Sequence, residues 1–311
     1  MAIAAVALAI AATSGIRTLT FPYHTHDGHV ETAYLVVPAW YGPRRHPSLP
    51  FVISPHGRGA GGRYNLRFWG TLPGRGTGFA LVSPDGHGRR LDGRYSWGYA
   101  GQIADLARMP GLARRAFPWL RLDGRTYGIG DSMGGQEALL LATRTHLAGV
   151  AAFDSNTDLR LRYREWFHTP GETGLPPLGR IEMGGTPASN PAAYSARSPV
   201  DHVGELARNR TPIQLWWSRN DQVVADGARE SGALYRRLHA LGAPVQQVTG
   251  LWPHAHEFHA DSQLPAALAC LGLLPFDGIR VPRYDLTSNG IEEQDAPDVP
   301  LNPDFCGPAR R

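Results

Sequence analysis

Short apolar runs alternate along the chain with stretches of helical periodicity. The runs at 50–54 and 79–83 are continuous rather than alternating, which is typical of strands that are buried on both faces. Apolar residues at helical spacing lie between the later runs, so strands and helices are predicted to alternate. Strands are predicted at 50–54, 79–83, 125–130, 147–153, 212–217 and 244–249, and helices at 101–117, 133–145, 227–241 and 263–274.

The start of the chain has a different pattern. Residues 17–24 and 30–37 are both rich in β-branched and aromatic residues, and the segment His26-Asp27-Gly28-His29 joins them. An Asp-Gly pair between two such runs indicates a hairpin. The sequence therefore predicts an α/β fold with a mostly parallel central sheet, an N-terminal antiparallel hairpin and helices on both faces.

A long irregular stretch interrupts the alternation. Residues 154–200 are rich in glycine, proline and charged residues, and an insertion of this length in a compact domain usually forms a lid or part of a pocket. We therefore expect one main domain at 16–276 that contains this lid-like insertion. Residues 277–311 have no periodicity and are expected to form an extended tail, and residues 1–15 are expected to be a signal-peptide remnant.

The N-terminal run bears on location. Residues 1–12 are apolar and too short to span a bilayer. They resemble the central part of a secretory signal peptide, although the positively charged start is missing. Secretion is the expectation, with an N-terminal helix of a cytoplasmic protein as the alternative. A disulfide between Cys270 and Cys306 would suit an oxidising compartment, but two separate thiols remain open.

Composition and charge argue against several classes of protein. With 42% hydrophobic and 19% charged residues, the 311-residue chain can form a full core. All 31 basic residues are arginine, the net charge is +4, and the arginines are scattered. Because there is no basic block with interleaved aromatic residues, nucleic-acid binding is not expected. The partner expected is a small-molecule or polymeric substrate.

The segment at 125–136 carries the first chemical signal. A predicted strand runs into Gly130-Asp131-Ser132-Met133-Gly134-Gly135, and a helical pattern follows at once. Glycines two residues before and after the serine permit the sharp strand-to-helix turn that exposes a serine hydroxyl. The motif alone is weak, since chance supplies about 0.2 copies in a chain of this composition. The motif indicates a catalytic serine only if other catalytic residues occur elsewhere in the sequence.

A second glycine-rich loop follows the predicted strand at 50–54. Residues 57–62 contain four glycines, whose backbone N–H groups can approach a ligand closely. A phosphate-binding loop is not favoured, because neither a G-x-G-x-x-G motif with its ribose-binding acid nor a G-K-[ST] ending is present. The alternatives are half of an oxyanion hole, which stabilises the negative charge formed when a carbonyl is attacked, and an ordinary flexible loop.

An acid and a histidine follow the serine in a familiar order. Asp221 comes after one later strand and His256 after the next. A serine hydroxyl needs a histidine to accept its proton and a carboxylate to orient that histidine. His254 and His259 compete with His256 for the role of base. Asp154 and Asp158 are alternatives for the acid.

Five motifs in this order carry a resemblance to a known family. They are Pro55-His56-Gly57, Gly130-Asp131-Ser132-Met133-Gly134-Gly135, Ser198-Pro199-Val200, Asn220-Asp221 and His256-Glu257-Phe258. From residue 17 to residue 274 the sequence resembles the α/β-hydrolase superfamily, and within it the dienelactone hydrolases and the prolyl-oligopeptidase-like esterases. The chain departs from the peptidase branch because it has no room for an N-terminal propeller.

The resemblance implies a set of roles. Ser132 would be the nucleophile, His256 the base and Asp221 the orienting acid. Backbone N–H groups of Met133 and of the turn containing Gly57 and Arg58 would form the oxyanion hole. No cofactor and no metal are implied. The segment Asp154-Ser155-Asn156 stands where cutinase-like relatives commonly place an aromatic residue, which leaves the substrate open.

We therefore expect a serine hydrolase, with a carboxylesterase acting on aryl, feruloyl-type or polymeric esters as the main interpretation. A serine peptidase of the prolyl-oligopeptidase-like type is the alternative. Aromatic residues predicted to line the pocket, with core packing as an equal alternative, are Trp97, Tyr99, Trp166 and Trp252.

Two interpretations belong to other classes. The segment at 254–259 has metal-like histidine spacing, which suggests a zinc hydrolase, but its ligand set is incomplete. A non-catalytic binding module is the other. The histidines His24, His26 and His29 also suggest a metal site on the hairpin, although solvated side chains are favoured because no carboxylate cluster accompanies them.

Overall fold

The computed structural model describes residues 15–275, 297, 300–302 and 304–306. The apolar run at 1–12 and most of the tail at 277–311 lie outside these residues, so the predictions for both stay predictions. Within the described part of the chain, none of the helices has the length and apolar character needed to cross a membrane.

One sheet organises the described residues. It contains eight strands in the order β1-β2-β4-β3-β5-β6-β7-β8. The first two strands and the β2–β4 pair are antiparallel, and all other neighbours are parallel, which confirms the predicted architecture. The strands are β1 Ile16–His24, β2 Val30–Pro38, β3 Leu49–Ile53, β4 Ala80–Pro84, β5 Leu122–Asp131, β6 Gly149–Phe153, β7 Ile213–Ser218 and β8 Val245–Gly250.

Four of the helices in the described residues fall close to their predicted places, and five others were not predicted. They are α1 Gly62–Trp69, α2 Ala100–Ala116, α3 Ser132–Arg144, α4 Leu159–Glu165, α5 Leu175–Met183, α6 Pro191–Ser195, α7 Val203–Asn209, α8 Ser231–Ala240 and α9 Leu264–Cys270. The addition that matters for the site is α1, which begins inside the glycine-rich loop. It faces the same sheet edge as the serine turn.

Helices cover both faces of the sheet, as the continuous apolar strands require. On one face, Ile103 of α2 and Leu139 of α3 belong to a buried cluster with side chains of α7 and α8. On the other face, Trp69 of α1 and Leu268 of α9 belong to a second cluster. Each central strand contributes to both clusters, so the sheet is the middle layer of three.

The insertion at 154–200 folds into α4, α5 and α6 rather than an irregular loop. Its apolar side chains form a third buried cluster, in which Tyr163, Trp166 and Tyr194 pack with Met133 from the start of α3. The insertion is therefore attached directly to the helix that follows the serine turn. Its role as a lid stays a prediction.

Cys270 and Cys306 form a disulfide, so the pairing left open by the sequence is present. It joins α9 to a point 36 residues further along the chain. A loop of this length corresponds to a stabilisation of about 4 kcal/mol in the chain-entropy treatment.

Candidate active site

Ser132 lies at the turn between β5 and α3, where the sequence predicted it. Its backbone has a left-handed conformation, with φ at 52°, although serine has a Cβ atom that disfavours this region. A non-glycine residue held in such a conformation marks a site where the surroundings over-determine the backbone. Ser132 is also the first residue of α3, so its side chain lies at the positive end of the helix.

The flanking glycines have the steric cause that the sequence suggested. A Cβ atom on Gly130 would lie 2.8 Å from the carbonyl carbon of Gly134 and 2.9 Å from the carbonyl oxygen of Pro55. A Cβ on Gly134 would overlap the same Pro55 oxygen. The turn is therefore packed against the end of β3, and only glycine fits at these two positions.

Asp221 follows β7 in a tight turn that fixes its carboxylate. One oxygen, Oδ1, accepts hydrogen bonds from the backbone N–H groups of Val223 at 2.7 Å and Val224 at 2.9 Å. The other oxygen, Oδ2, lies 2.8 Å from Nδ1 of His254. Because both oxygens are engaged and the residue is 5% exposed, the carboxylate is held in one orientation.

His254, rather than His256, is the histidine that Asp221 contacts. This corrects the expectation from the sequence, which preferred His256 and kept His254 as the alternative. The cause is the intervening Ala255, whose φ of 60° starts a short 3-10 turn at His256. The reversal leaves His254 at the acid and brings the ring of His256 to 5.7 Å from that of His259.

The electrostatic surroundings of these histidines also differ. Burial lowers the pKa of the His254 imidazole, but the hydrogen bond and charge of Asp221, with the charges of Asp154 and Asp131, outweigh it and raise the pKa above its usual value. Burial, followed by the charge of His254, lowers the pKa of His256. His254 is therefore the better proton acceptor of the two.

A second acid lies behind His254. Asp154, directly after β6, places Oδ2 at 3.9 Å from Nδ1 of His254. Its two oxygens accept hydrogen bonds from the backbone N–H groups of Ser218 at 2.9 Å and Ala255 at 2.8 Å. Asp154 thus connects the ends of β6 and β7 to the histidine loop. Asp154 was also an alternative acid in the sequence analysis, and it lies farther from the His254 ring than Asp221 does.

Asp154 is also paired with another buried carboxyl group. Burial raises the pKa of Glu257 to about 8. Burial, together with the charges of Glu257 and Asp221, raises the pKa of Asp154 well above its usual value. Two buried carboxyl groups whose pKa values are both raised hold at least one proton near neutral pH. Asp158, the other alternative acid, instead caps α4 by accepting from the N–H groups of Arg160 and Leu161.

The loop after β3 lies on the opposite side of Ser132. The ring of His56 is buried, with Nδ1 3.0 Å from the carbonyl oxygen of Gly57 and Nε2 2.8 Å from that of Asp85. Arg58 extends its side chain to Glu172 of the insertion, with Nη2 2.7 Å from Oε1. The predicted oxyanion residues Gly57 and Arg58 therefore line the cleft with Ser132, and Met133 supplies an N–H of the first turn of α3.

These segments enclose one cleft. Its volume is about 390 Å³, and it is open to solvent on one side. Its lining residues come from the loop after β3, α1, the serine turn, the acid turn and the histidine loop: Gly57, Arg58, Ala60, Tyr64, Phe68, Asp131, Ser132, Val223, His254, Ala255, His256 and His259.

The aromatic lining differs from the expectation. Trp97 and Trp166 are each 1% exposed and pack against each other with ring centroids 5.1 Å apart, in the cluster beneath the insertion. Trp252 is buried in the core on the other face, and Tyr99 packs against His26. These four predicted pocket residues are corrected to packing roles. The aromatic side chains in the cleft are Tyr64 and Phe68 of α1, which the sequence analysis missed because it assigned no helix there.

The zinc interpretation of residues 254–259 needs three converging histidines. In the described residues, His254 instead shares a cluster of candidate ligand atoms with Asp154 and Asp221. The oxygens of both acids are already engaged by backbone N–H groups and by His254. This arrangement suits orientation of an imidazole better than it suits a metal ion.

Comparisons with solved structures agree with this architecture. The chain superposes on acylaminoacyl peptidase from Pyrococcus horikoshii with a TM-score of 0.63 and 14% identity, covering 86% of this chain and 43% of that one. It superposes on a puromycin-hydrolyzing peptidase from Mycobacterium tuberculosis with a TM-score of 0.63 and 20% identity, covering 85% and 41%. It superposes on dipeptidyl peptidase 4 from Porphyromonas gingivalis with a TM-score of 0.57 and 17% identity, covering 77% of this chain and 32% of that one.

The chain has the α/β-hydrolase fold. It spans less than half the length of the solved structures it matches. No protein-family model matches the sequence, and no curated protein does either. The likeness therefore establishes the fold, and the chemistry has to be argued from the cleft.

Proposed function

We propose that this protein is a serine hydrolase in which Ser132 is the nucleophile, His254 the base and Asp221 the acid that orients the base. The observation that carries the proposal is the contact between Asp221 and His254 in a cleft that also contains Ser132 at a strained turn. A left-handed serine, a buried acid and a histidine come from three different loops and are brought together at one cleft.

The first half of the reaction follows from these positions. The Asp221 carboxylate accepts the Nδ1–H of His254, which fixes the tautomer and leaves Nε2 as the proton acceptor. The Ser132 hydroxyl attacks the substrate carbonyl as its proton passes to His254. The N–H groups of Met133 and of the Gly57–Arg58 turn stabilise the oxyanion, which is worth about 3–4 kcal/mol per donor in comparable sites.

The second half regenerates the enzyme. His254 donates its proton to the leaving amine or alcohol, and an acyl group remains on Ser132. Water then attacks the acyl group as one of its protons passes to His254. The bond between the acyl carbon and Ser132 Oγ breaks, His254 returns the proton to Oγ, and the acid product leaves. The raised pKa of His254 suits this cycle because the imidazole must hold the proton until the leaving group departs.

For the substrate, we propose amide bonds of short peptides or aminoacyl compounds. The matched structures are described as an acylaminoacyl peptidase, a puromycin-hydrolyzing peptidase and a dipeptidyl peptidase. Their likeness favours the peptidase interpretation over the carboxylesterase that the sequence favoured. The cleft is compatible with a small substrate, since Tyr64 and Phe68 offer one apolar wall opposite the polar residues.

A matched pair of substrates tests this proposal. The p-nitroanilide and the p-nitrophenyl ester of one N-acetylated amino acid share the acyl group and differ only in the scissile bond. We expect hydrolysis of both by the wild type and loss of both by at least about 10⁴-fold in Ser132→Ala. Ester hydrolysis with no detectable anilide cleavage would return the assignment to a carboxylesterase, and activity that survives Ser132→Ala would contradict the mechanism.

We also propose that the chain folds in an oxidising compartment. The support is the Cys270–Cys306 disulfide, since such bonds persist mainly in secreted and periplasmic proteins.

A further inference from the structure

A second group of chemically active side chains lies outside the cleft. It combines the turn between β1 and β2 with the loop that follows β4. Asp27 and His29 come from the turn, and His87 comes from the loop. Because β1 and β4 end at the same edge of the sheet as β5, this group lies at the carboxyl edge, two or more strands away from Ser132.

Three ligand-type atoms converge there on one small volume. Oδ2 of Asp27 lies 3.3 Å from Nε2 of His87 and 3.8 Å from Nε2 of His29. Candidate ligand atoms of the three residues lie within 4.8 Å of one another. The ligands of a tetrahedral zinc ion, with bonds of about 2.0–2.1 Å, are separated by about 3.4 Å, so these separations need little adjustment.

The neighbouring groups orient these atoms. The hydroxyl of Thr25 donates a hydrogen bond of 2.6 Å to Oδ1 of Asp27, which leaves Oδ2 directed at the histidines. Oε1 of Glu31 lies 3.5 Å from Nδ1 of His87, a charge-pair contact without a hydrogen bond, and its negative charge favours a proton on Nδ1 and a lone pair on Nε2. A carboxylate near the second nitrogen of a ligating histidine is typical of metal sites.

The backbone beneath the group is also fixed. The N–H of His87 donates to the buried amide oxygen of Gln102 at 3.0 Å, and the N–H of Gly86 donates to the hydroxyl of Tyr23 at 3.1 Å. The turn is closed by a bond of 2.9 Å from the N–H of Thr25 to the carbonyl oxygen of His29. The rings of His29 and His87 are stacked, with centroids 4.4 Å apart and planes 17° from parallel, so their lone pairs do not point at one ion as the rings stand. The His29 side chain is 63% exposed, and metal binding would require it to rotate out of this stack.

We propose that Asp27, His29 and His87 bind one divalent transition-metal ion, with Zn²⁺ the best fit. Two imidazoles and one carboxylate suit zinc, and solvent access leaves a fourth position for water or for a ligand from outside. The ion would clip the first hairpin to the loop after β4. The sequence analysis missed this site because His87 is distant in sequence and because the carboxylates of Asp27 and Glu31 were not counted with the hairpin histidines.

Zinc titration of the untagged 311-residue chain by isothermal calorimetry tests the proposal. We expect one equivalent to bind to the wild type, and His29→Ala and His87→Ala each to weaken binding by more than about 100-fold. Glu31→Gln should weaken it by about 10-fold, as for other groups that orient a ligand. His24→Ala, an exposed histidine on the same hairpin, and His254→Gln, which removes the cluster in the cleft, are the controls and should bind as the wild type does.

Thermal melts with and without ZnCl2 provide a second measurement. We expect zinc to raise the melting temperature of the wild type and of His24→Ala, but not of His29→Ala, whose exposed side chain is not needed for folding. Absence of binding by the wild type at 1 mM zinc, taken as roughly the weak limit of a specific site, would overturn the proposal. Equal binding by wild type and His87→Ala, or loss of the equivalent in His254→Gln, would also overturn it.

Discussion

Asp221 and Asp154 approach the same imidazole from the ends of neighbouring strands. Asp221 lies at hydrogen-bond distance from Nδ1 of His254, at 2.8 Å, whereas Asp154 lies at 3.9 Å and holds the backbone of Ala255. The distances assign different tasks to two side chains of one chemical type. Asp221 orients the ring, and Asp154 positions the loop that carries the ring.

Substitution of each acid by asparagine separates these tasks. We expect Asp221→Asn to lower kcat by about 10⁴-fold, because the amide can favour the wrong imidazole tautomer. Asp154→Asn should lower kcat by less than about 100-fold, because the Nδ1 partner remains. Steady-state kinetics on one activated ester provides the comparison. A larger loss for Asp154→Asn than for Asp221→Asn would exchange the two roles.

The raised pKa of His254 predicts where activity falls on the acid side. The base acts only when neutral, so a pKa raised by Asp221 moves the acidic limb of kcat/KM above the usual histidine value of about 6.5. Asp221→Asn should move the residual limb to lower pH, and His256→Ala should leave it unchanged. If the acidic limb of the pH–rate profile moves in His256→Ala, the titration belongs to His256 and the assignment to His254 is wrong.

The serine and the acid were accessible from sequence, but the histidine was not. Ser132 is flanked by glycines, and the sequence shows directly that these positions lack a Cβ atom, as the sharp turn requires. Asp221 begins a turn after a strand that the sequence pattern identifies. The choice among the histidines at 254, 256 and 259 depends on a positive φ at Ala255, and alanine gives no sign of that conformation. A glycine or asparagine there would have been informative.

At the scale of elements, the turn between β5 and α3 is a sterically constrained connection. We expect Gly134→Ala to destabilise the protein by more than about 2 kcal/mol, because its Cβ would overlap the Pro55 carbonyl oxygen. Gly111→Ala is the matched control. Its position in α2 meets only Arg115 Nη1, at 3.7 Å, so this change should be neutral or stabilise by up to about 1 kcal/mol.

Denaturant unfolding of both variants decides the point. Equal stabilities for Gly134→Ala and the wild type would mean that β3 and α3 can separate at no cost. Packing against Pro55 would then not constrain the turn, and it could not explain why Ser132 is held in a left-handed conformation.

Strand positions were predictable because continuous apolar runs between glycine- and proline-rich turns have few alternatives in a sheet covered on both faces. Helix α1 was not, because it has only eight residues, begins at Gly62 within a glycine-rich loop and has no side-chain N-cap to mark its start. This omission carried over to the cleft, since α1 supplies Tyr64 and Phe68. The tryptophans chosen instead are core residues, and sequence alone does not separate buried aromatic side chains from those that line a cleft.

For the whole molecule, buried carboxyl groups make stability depend on pH. Burial raises the pKa of Glu257 and of Glu230 to about 8. In the unfolded chain these groups lose their protons near 4.3, so between the two values the folded state holds more protons. Stability is therefore greatest below the unfolded pKa and falls as pH rises toward 8, by at most about 1.4 kcal/mol per pH unit for each group.

Thermal melts between pH 5 and pH 9 measure this dependence. We expect the melting temperature to fall across the range, and Glu257→Gln to reduce the slope because its amide does not titrate. The raised pKa of His254 acts in the same direction, since its stabilisation is present below about 6.5 and is lost at higher pH. A melting temperature that rises from pH 5 to pH 9 would show that these carboxyl groups are ionised in the folded state.

Labelling with a fluorophosphonate tests the central claim most directly, because the reagent needs an activated serine and no knowledge of the substrate. We expect one label per chain, with the modified peptide containing Ser132. The labelling rate should fall by more than about 100-fold in His254→Ala and remain within about twofold of wild type in His256→Ala. A label on another residue, or equal rates for His254→Ala and the wild type, would contradict the proposed site.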